Sequence, residues 1–362
     1  MAHGMSGLGN NPTLALLFFS APLREGPRIA LRRLVRLRTT KPENACARSV
    51  LITFPYRLGD YLMLTPAIGA LARDESGLQV DLLVDPGVAE SIRELARGFD
   101  PIRRVLAEGS APWRAAIGSG WDRVVHLGRA EAREHGLALL GRARRVDGGD
   151  RALLTTAESI PHLFFEAVVG RPPGSADSLR PIIELTPDAT DGEGEGALVV
   201  AIGGADWNRR FPSWIALVRQ LGERLPNREI VIVHGVEDRH EAERVAAAVP
   251  AVRLQSGALG IRRICSILAA AAAVVTTDTF YLHAAGAFAR PRVAIFGPTD
   301  PALRITDLGR ADVRAVFRRD LCERAPCHND MFDRCRGAPV DCMAISPDLL
   351  ADAVVAVCGS GS

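Results

Sequence analysis

From Ser49 onward the chain alternates short apolar runs with segments of helical length, and it does so twice. Ser49 to Phe54, Gln79 to Asp85 and Asp122 to Leu127 read as buried strands. Tyr61 to Arg73, Val88 to Gly98 and His162 to Val169 read as the helices of that first series. A second series predicts strands at Ala197 to Ile202, Glu229 to His234, Val252 to Leu254, Ala273 to Thr276 and Arg292 to Phe296. Its helices fall at about Ser213 to Leu225, Glu237 to Val249, Ile261 to Ala271 and Tyr281 to Phe288. Strands that alternate with helices build parallel sheets, because each return crossing is helical. Between the two series lies Thr186-Pro-Asp-Ala-Thr-Asp-Gly-Glu-Gly-Glu-Gly196, a stretch with the composition of a linker. The expected organisation is an extension at 1–48, one α/β domain at 49–186, a second at 197–345, and a closing helix and tail at 346–362.

Size and charge narrow the functions that such a frame can carry. A chain of 362 residues, 48% hydrophobic, is long enough for two cores. Its formal charge of +2 lacks the excess that a nucleic-acid partner demands, so none is expected. Lys41 is the sole lysine, which removes Schiff-base and Walker-type mechanisms from the body of the chain. Seven cysteines, an odd number, do not read as a secreted disulfide framework, and the apolar stretch Thr13 to Phe19 is too short for a membrane span; a cytoplasmic location is expected. The segment Arg28 to Arg38 has the spacing of a basic amphipathic helix, which either packs on the first domain or touches an anionic membrane surface from the cytoplasmic side.

In doubly wound sheets ligands bind beyond the carboxyl ends of the strands, so the loops there carry the candidates. In Pro55-Tyr-Arg-Leu-Gly-Asp60, Asp60 either caps the next helix or faces the cleft as a general base. Ile202-Gly-Gly-Ala-Asp-Trp-Asn-Arg-Arg-Phe-Pro212 is a glycine turn that brings Arg209 and Arg210 toward a helix start, a combination suited to phosphate. Thr276-Thr-Asp-Thr-Phe-Tyr-Leu-His283 carries Thr277, Asp278 and Thr279 where helix amides need caps, and one cap does not account for the whole polar cluster. In Phe296-Gly-Pro-Thr-Asp-Pro301, Thr299 and Asp300 can bond a ligand or the turn's own backbone.

Taken in order, these segments resemble the bacterial heptosyltransferases of glycosyltransferase family nine. Leu58-Gly-Asp-Tyr-Leu-Met-Leu-Thr-Pro-Ala67 is similar to the family's opening motif. Thr277-Asp-Thr-Phe-Tyr-Leu-His-Ala-Ala285 with Arg290-Pro-Arg-Val-Ala-Ile-Phe-Gly-Pro-Thr-Asp300 is similar to its carboxyl-terminal signature. The resemblance implies a GT-B fold, two Rossmann-like doubly wound domains facing a central cleft, with acceptor in the first and nucleotide-sugar in the second. It implies inverting, metal-independent transfer of a heptose, from ADP-heptose, to a hydroxyl of a glycan, lipid-linked sugar, protein or small metabolite. It gives Asp60 the role of base, and it gives Gly204, Ala205, Arg209, Glu237, Leu259, Asp278, Thr279, Phe280 and His283 to the donor. Arg209 stands where the family usually has a lysine, and Phe280 where it usually has a glycine, so the sugar pocket is expected to be narrowed.

No cofactor is expected. Cys322, Cys327, Cys335 and Cys342 lack the paired short spacings of zinc sites and read as buried free thiols, with no metal. Two other functions fit a fold of this kind: a nucleotide-sugar epimerase, for which no convincing acid and base set is visible, and a catalytically silent nucleotide-binding partner.

Overall fold

The computed structural model describes residues 49–54, 57–112, 121–127, 145–149, 159–185, 194–204, 206–255, 260–327, 335 and 341–359. The extension at 1–48, with its basic segment, and the residues Ala205 and Leu259 lie outside them. The first series forms β1 (Ser49–Phe54), α1 (Leu58–Asp74), β2 (Gln79–Val84), α2 (Ala89–Leu95), β3 (Ile102–Ala107), β4 (Arg123–Leu127), β5 (Arg145–Gly149) and α3 (Ile160–Val169). Its five strands are parallel, in the order β3-β2-β1-β4-β5.

The second series forms β6 (Leu198–Ile202), α4 (Trp214–Arg224), β7 (Ile230–His234), α5 (Arg239–Ala248), β8 (Arg253–Leu254), α6 (Ile261–Ala270), β9 (Ala273–Thr277), α7 (Phe280–Ala287), β10 (Arg292–Phe296), β11 (Val313–Phe317) and α8 (Pro347–Gly359). The sheet order is β11-β10-β9-β6-β7-β8, again parallel, which is the Rossmann order with its switch point between β6 and β9. Strands β3, β5 and β11 are additions to the sequence reading, and each sits at a sheet edge. An edge strand is covered less, so β3 (IRRVLA) and β11 (VRAVF) carry arginines and lack the continuous apolar run that marks β6 or β9. The β3 arginines have a partner: Arg103 and Arg104 converge on the fully buried carboxylate of Asp81 in β2, which also accepts from Trp121 Nε1 at 2.8 Å.

Helix α1 joins the two halves. It is buried from Tyr61 to Leu71 because α3 covers one side and α7 of the second domain another. Pro66 lies inside it and cannot donate to the carbonyl of Leu62; the Thr65 hydroxyl does so instead, at 2.8 Å, and accepts the Ile182 amide at 2.8 Å. The core beneath is continuous across the domains, since Ile68, Leu71 and Phe165 belong to one cluster with Ile264, Leu268 and Ala284. Arg262 of α6 closes the same junction by donating to the carbonyls of Glu94, Arg97 and Glu184 in the first domain, the first of them in the last turn of α2. Helix α8 closes the second core with Leu350, Ala351, Val354 and Val357.

Candidate functional site

At the switch point the ends of β6 and β9 are tied together by hydroxyls. Thr276 Oγ1 donates to the Ala201 carbonyl at 3.0 Å and Thr277 Oγ1 to the Gly203 carbonyl at 2.8 Å. These threonines therefore serve the strands rather than the helix. Thr279, at the N-cap of α7, also leaves the helix uncapped, with its hydroxyl 3.1 Å from that of Thr276. The first amides of α7 thus have no side-chain cap, the arrangement that favours an anion at a helix start. Gly203 is required for the close approach of the β6 turn to this helix, because a Cβ there would lie 2.8 Å from Tyr281 Cε2.

Asp278 follows β9 and is 4% exposed. It accepts from Thr299 Oγ1 at 2.7 Å, and Arg209 Nη1 lies 3.3 Å from its carboxylate. Burial opposes its charge, yet the guanidiniums of Arg304 and Arg209 hold the carboxyl below its usual range. Arg209 in turn lies 3.5 Å from Asp206. Arg210 donates to the Gly204 carbonyl at 3.1 Å and faces Asp238 at 3.9 Å. Glu237, one residue earlier, is exposed in the turn after β7 and forms no ion pair with this network among the described residues.

Asp60 enters from the other domain. It is the third residue of α1, and its two oxygens have different partners: Oδ2 accepts the Arg57 amide at 3.3 Å, while Oδ1 accepts from Arg304 Nη1 at 2.9 Å. Arg304, which the sequence analysis missed, also brings Nε within 3.8 Å of Asp278. It follows a turn capped by Asp300, whose carboxylate accepts the Ala302 amide at 2.9 Å. The Gly-Pro-Thr-Asp loop thus divides its work, with Asp300 serving the turn and Thr299 serving Asp278.

His283 lies on α7 beside these ions, and burial pushes its imidazole down to about 4, so it is neutral at pH 7. Phe280 opens α7 and stacks edge-on against Tyr281 at 5.6 Å. A cavity of about 360 Å³ runs between the domains on this side, lined among others by Met63, His162 and Arg180 of the first and by His283, Arg304 and Arg310 of the second. Among the described residues no group of three or more His, Cys, Asp or Glu is placed to hold a metal ion. Burial, with Cys322, Cys327 and Cys335 nearby, pushes the Cys342 thiol up to about 12, which keeps it protonated. No described helix is long and apolar enough to cross a membrane.

Residues 186–313, which include Arg209, Asp278 and Arg304, match the family model of glycosyltransferase family 9 (heptosyltransferase). Lipopolysaccharide heptosyltransferase 1 of Pseudomonas aeruginosa is 25% identical over 354 residues, covering 83% of this chain and 96% of that protein. Among solved structures, ADP-heptose lps heptosyltransferase II of E. coli superposes with a TM-score of 0.65 at 14% identity, covering 86% of this chain and 99% of its own. E. coli heptosyltransferase WaaC with ADP-2-deoxy-2-fluoro heptose gives 0.55 at 18% identity, covering 87% and 100%. At these identities the structural likeness speaks for the fold, and that fold is GT-B.

Proposed function

We propose that the chain is a glycosyltransferase of family 9 that transfers a heptose from ADP-heptose to an acceptor hydroxyl, with inversion and without a metal. One observation carries the reading: Asp60 of the first domain and Asp278 of the second meet across the domain junction, with Arg304 between them. That juxtaposition sets a carboxylate opposite the turn suited to a diphosphate. The names of the relatives support the sugar and the nucleotide, since one is a lipopolysaccharide heptosyltransferase and another is solved with an ADP-heptose analogue.

In the proposed reaction the acceptor oxygen bonds to the anomeric carbon as the bond from that carbon to the diphosphate breaks. Asp60 takes the hydroxyl proton. Charge on the departing ADP is met by Arg209 and the uncapped amides of α7, so fixed cations and dipoles do the work a metal would otherwise do. Gly204 serves the phosphate side, Glu237 flanks the nucleoside, and Asp278, Thr279 and His283 hold the donor sugar end, while the family resemblance gives Ala205 and Leu259, outside the described residues, to the same donor. A neutral His283 can donate one hydrogen bond and accept another there. Phe280 at the start of α7 narrows the sugar pocket.

The acceptor is a glycan, lipid-linked sugar, protein or small metabolite entering by the interdomain cavity, and the reaction belongs to the cytoplasm, at the membrane's inner face if residues 1–48 bind there. Incubation with ADP-heptose and a panel of such acceptors tests the reading by release of ADP. Acceptor-dependent release supports it; release from another nucleotide-sugar alone overturns the donor assignment.

A further inference from the structure

Arg304 is held by carboxylates of both domains, 2.9 Å from Asp60 and 3.8 Å from Asp278, and its side chain is only 15% exposed. The two carboxylates depend on it unequally. Asp278 keeps the Thr299 hydroxyl at 2.7 Å and Arg209 at 3.3 Å if Arg304 moves away. Asp60 keeps one backbone amide at 3.3 Å, on the oxygen that Arg304 does not touch. Movement of the guanidinium therefore leaves Asp278 neutralised and exposes Oδ1 of Asp60. A diphosphate at the switch point would lie beside Asp278, within reach of the same guanidinium, and would offer it a paired set of anionic oxygens.

We propose that Arg304 couples the two substrates: the donor diphosphate draws its guanidinium away from Asp60, so that the base is released to the acceptor hydroxyl only in the donor-loaded enzyme. Arg304 is then a positioning residue for Asp60 in the free enzyme and a diphosphate ligand in the loaded one. The inference rests on the reading of the second domain as an ADP-sugar site. Its physical content is that free enzyme must break an ion pair in order to bind donor. Removing Asp60's charge abolishes that cost.

Titration calorimetry with ADP on wild type, Asp60→Asn, Arg304→Gln and the double variant tests the coupling. Asp60→Asn is expected to bind ADP about fivefold more tightly than wild type, the scale of one partly exposed ion pair. Arg304→Gln is expected to bind at least about tenfold more weakly, having lost a charged hydrogen bond to phosphate. The double variant is expected to match Arg304→Gln, because Asp60 has nothing left to release. A gain from Asp60→Asn that persists in the Arg304→Gln background would mean simple repulsion between Asp60 and ADP, and would overturn the coupling. An Asp60→Asn affinity equal to or weaker than wild type would overturn it as well. Failure of wild type to bind ADP would remove the donor reading itself, a distinguishable result that also sinks the inference. Arg304→Met, which keeps the aliphatic stem, replaces the glutamine variant if the latter does not fold.

Discussion

Gly59 faces His283 across the domain junction: a Cβ on Gly59 would stand 3.0 Å from His283 Cδ2 and 3.6 Å from the Phe280 amide. Helix α1 therefore approaches α7 closely enough at its second residue that a side chain there would crowd the His283 ring. That approach brings Asp60, the next residue, to Arg304. Gly59→Val is expected to push the helices apart, lowering kcat/KM by at least about tenfold while costing roughly 1–3 kcal/mol of stability, the usual range for overpacking. Steady-state kinetics beside urea unfolding checks this. Full activity in the valine variant would mean that the contact is incidental.

His283 makes stability depend on mildly acidic pH. Burial lowers its folded value from 6.5 to about 4, so an unfolded chain takes up the proton first as the solution is acidified. The stability tied to the neutral ring is fully present above pH 6.5 and is lost as pH falls toward 4, by up to about 3 kcal/mol. The lowered carboxyls of Asp278 and Asp81 act in the same direction, but only below the ordinary carboxylate range. His283→Gln is expected to flatten the melting-temperature profile between pH 6.5 and 4 and to leave the steeper loss at lower pH. An unchanged profile would exclude the ring as its cause.

Asp81 serves the first sheet and not the site. Its carboxylate is fully buried and gathers Arg103, Arg104 and Trp121. Asp81→Asn leaves two partly exposed guanidiniums short of a counter-ion, so a loss of about 2–4 kcal/mol is expected, somewhat below the usual figure for a broken buried pair because solvent reaches the arginines. Denaturant unfolding should record that loss with ADP affinity unaltered. A large drop in ADP affinity would place Asp81 in the site's support.

The interior strands could be read from sequence because both faces of each are covered, which forces a continuous apolar run such as Leu198 to Ile202. The edge strands could not: β3 has one buried residue, Leu106, and its arginines make sense only once Asp81 lies beside them. Within the site, Asp60 and Asp278 stand out in the sequence because each lies at a strand-to-helix turn, Asp60 in the first turn of α1 and Asp278 between β9 and α7. Arg304 was not, since 244 residues separate it from Asp60 and nothing local distinguishes it among so many arginines. Thr277, Asp278 and Thr279 stand where helix caps are expected, and a single cap does not account for all three. The Thr276 and Thr277 hydroxyls instead reach the Ala201 carbonyl of β6 and the Gly203 carbonyl just beyond it, neighbours that only the sheet order supplies.

Transfer by Asp60→Asn under saturating ADP-heptose tests the central claim most directly, because the amide keeps the shape of the carboxylate but cannot take the proton, and saturation removes any change in donor affinity from the comparison. Loss of about 10²–10⁴-fold in kcat, with ADP still bound, is the expected result for removal of a general base. A variant that transfers heptose at the wild-type rate would contradict the account, and the proton would have to leave by another route.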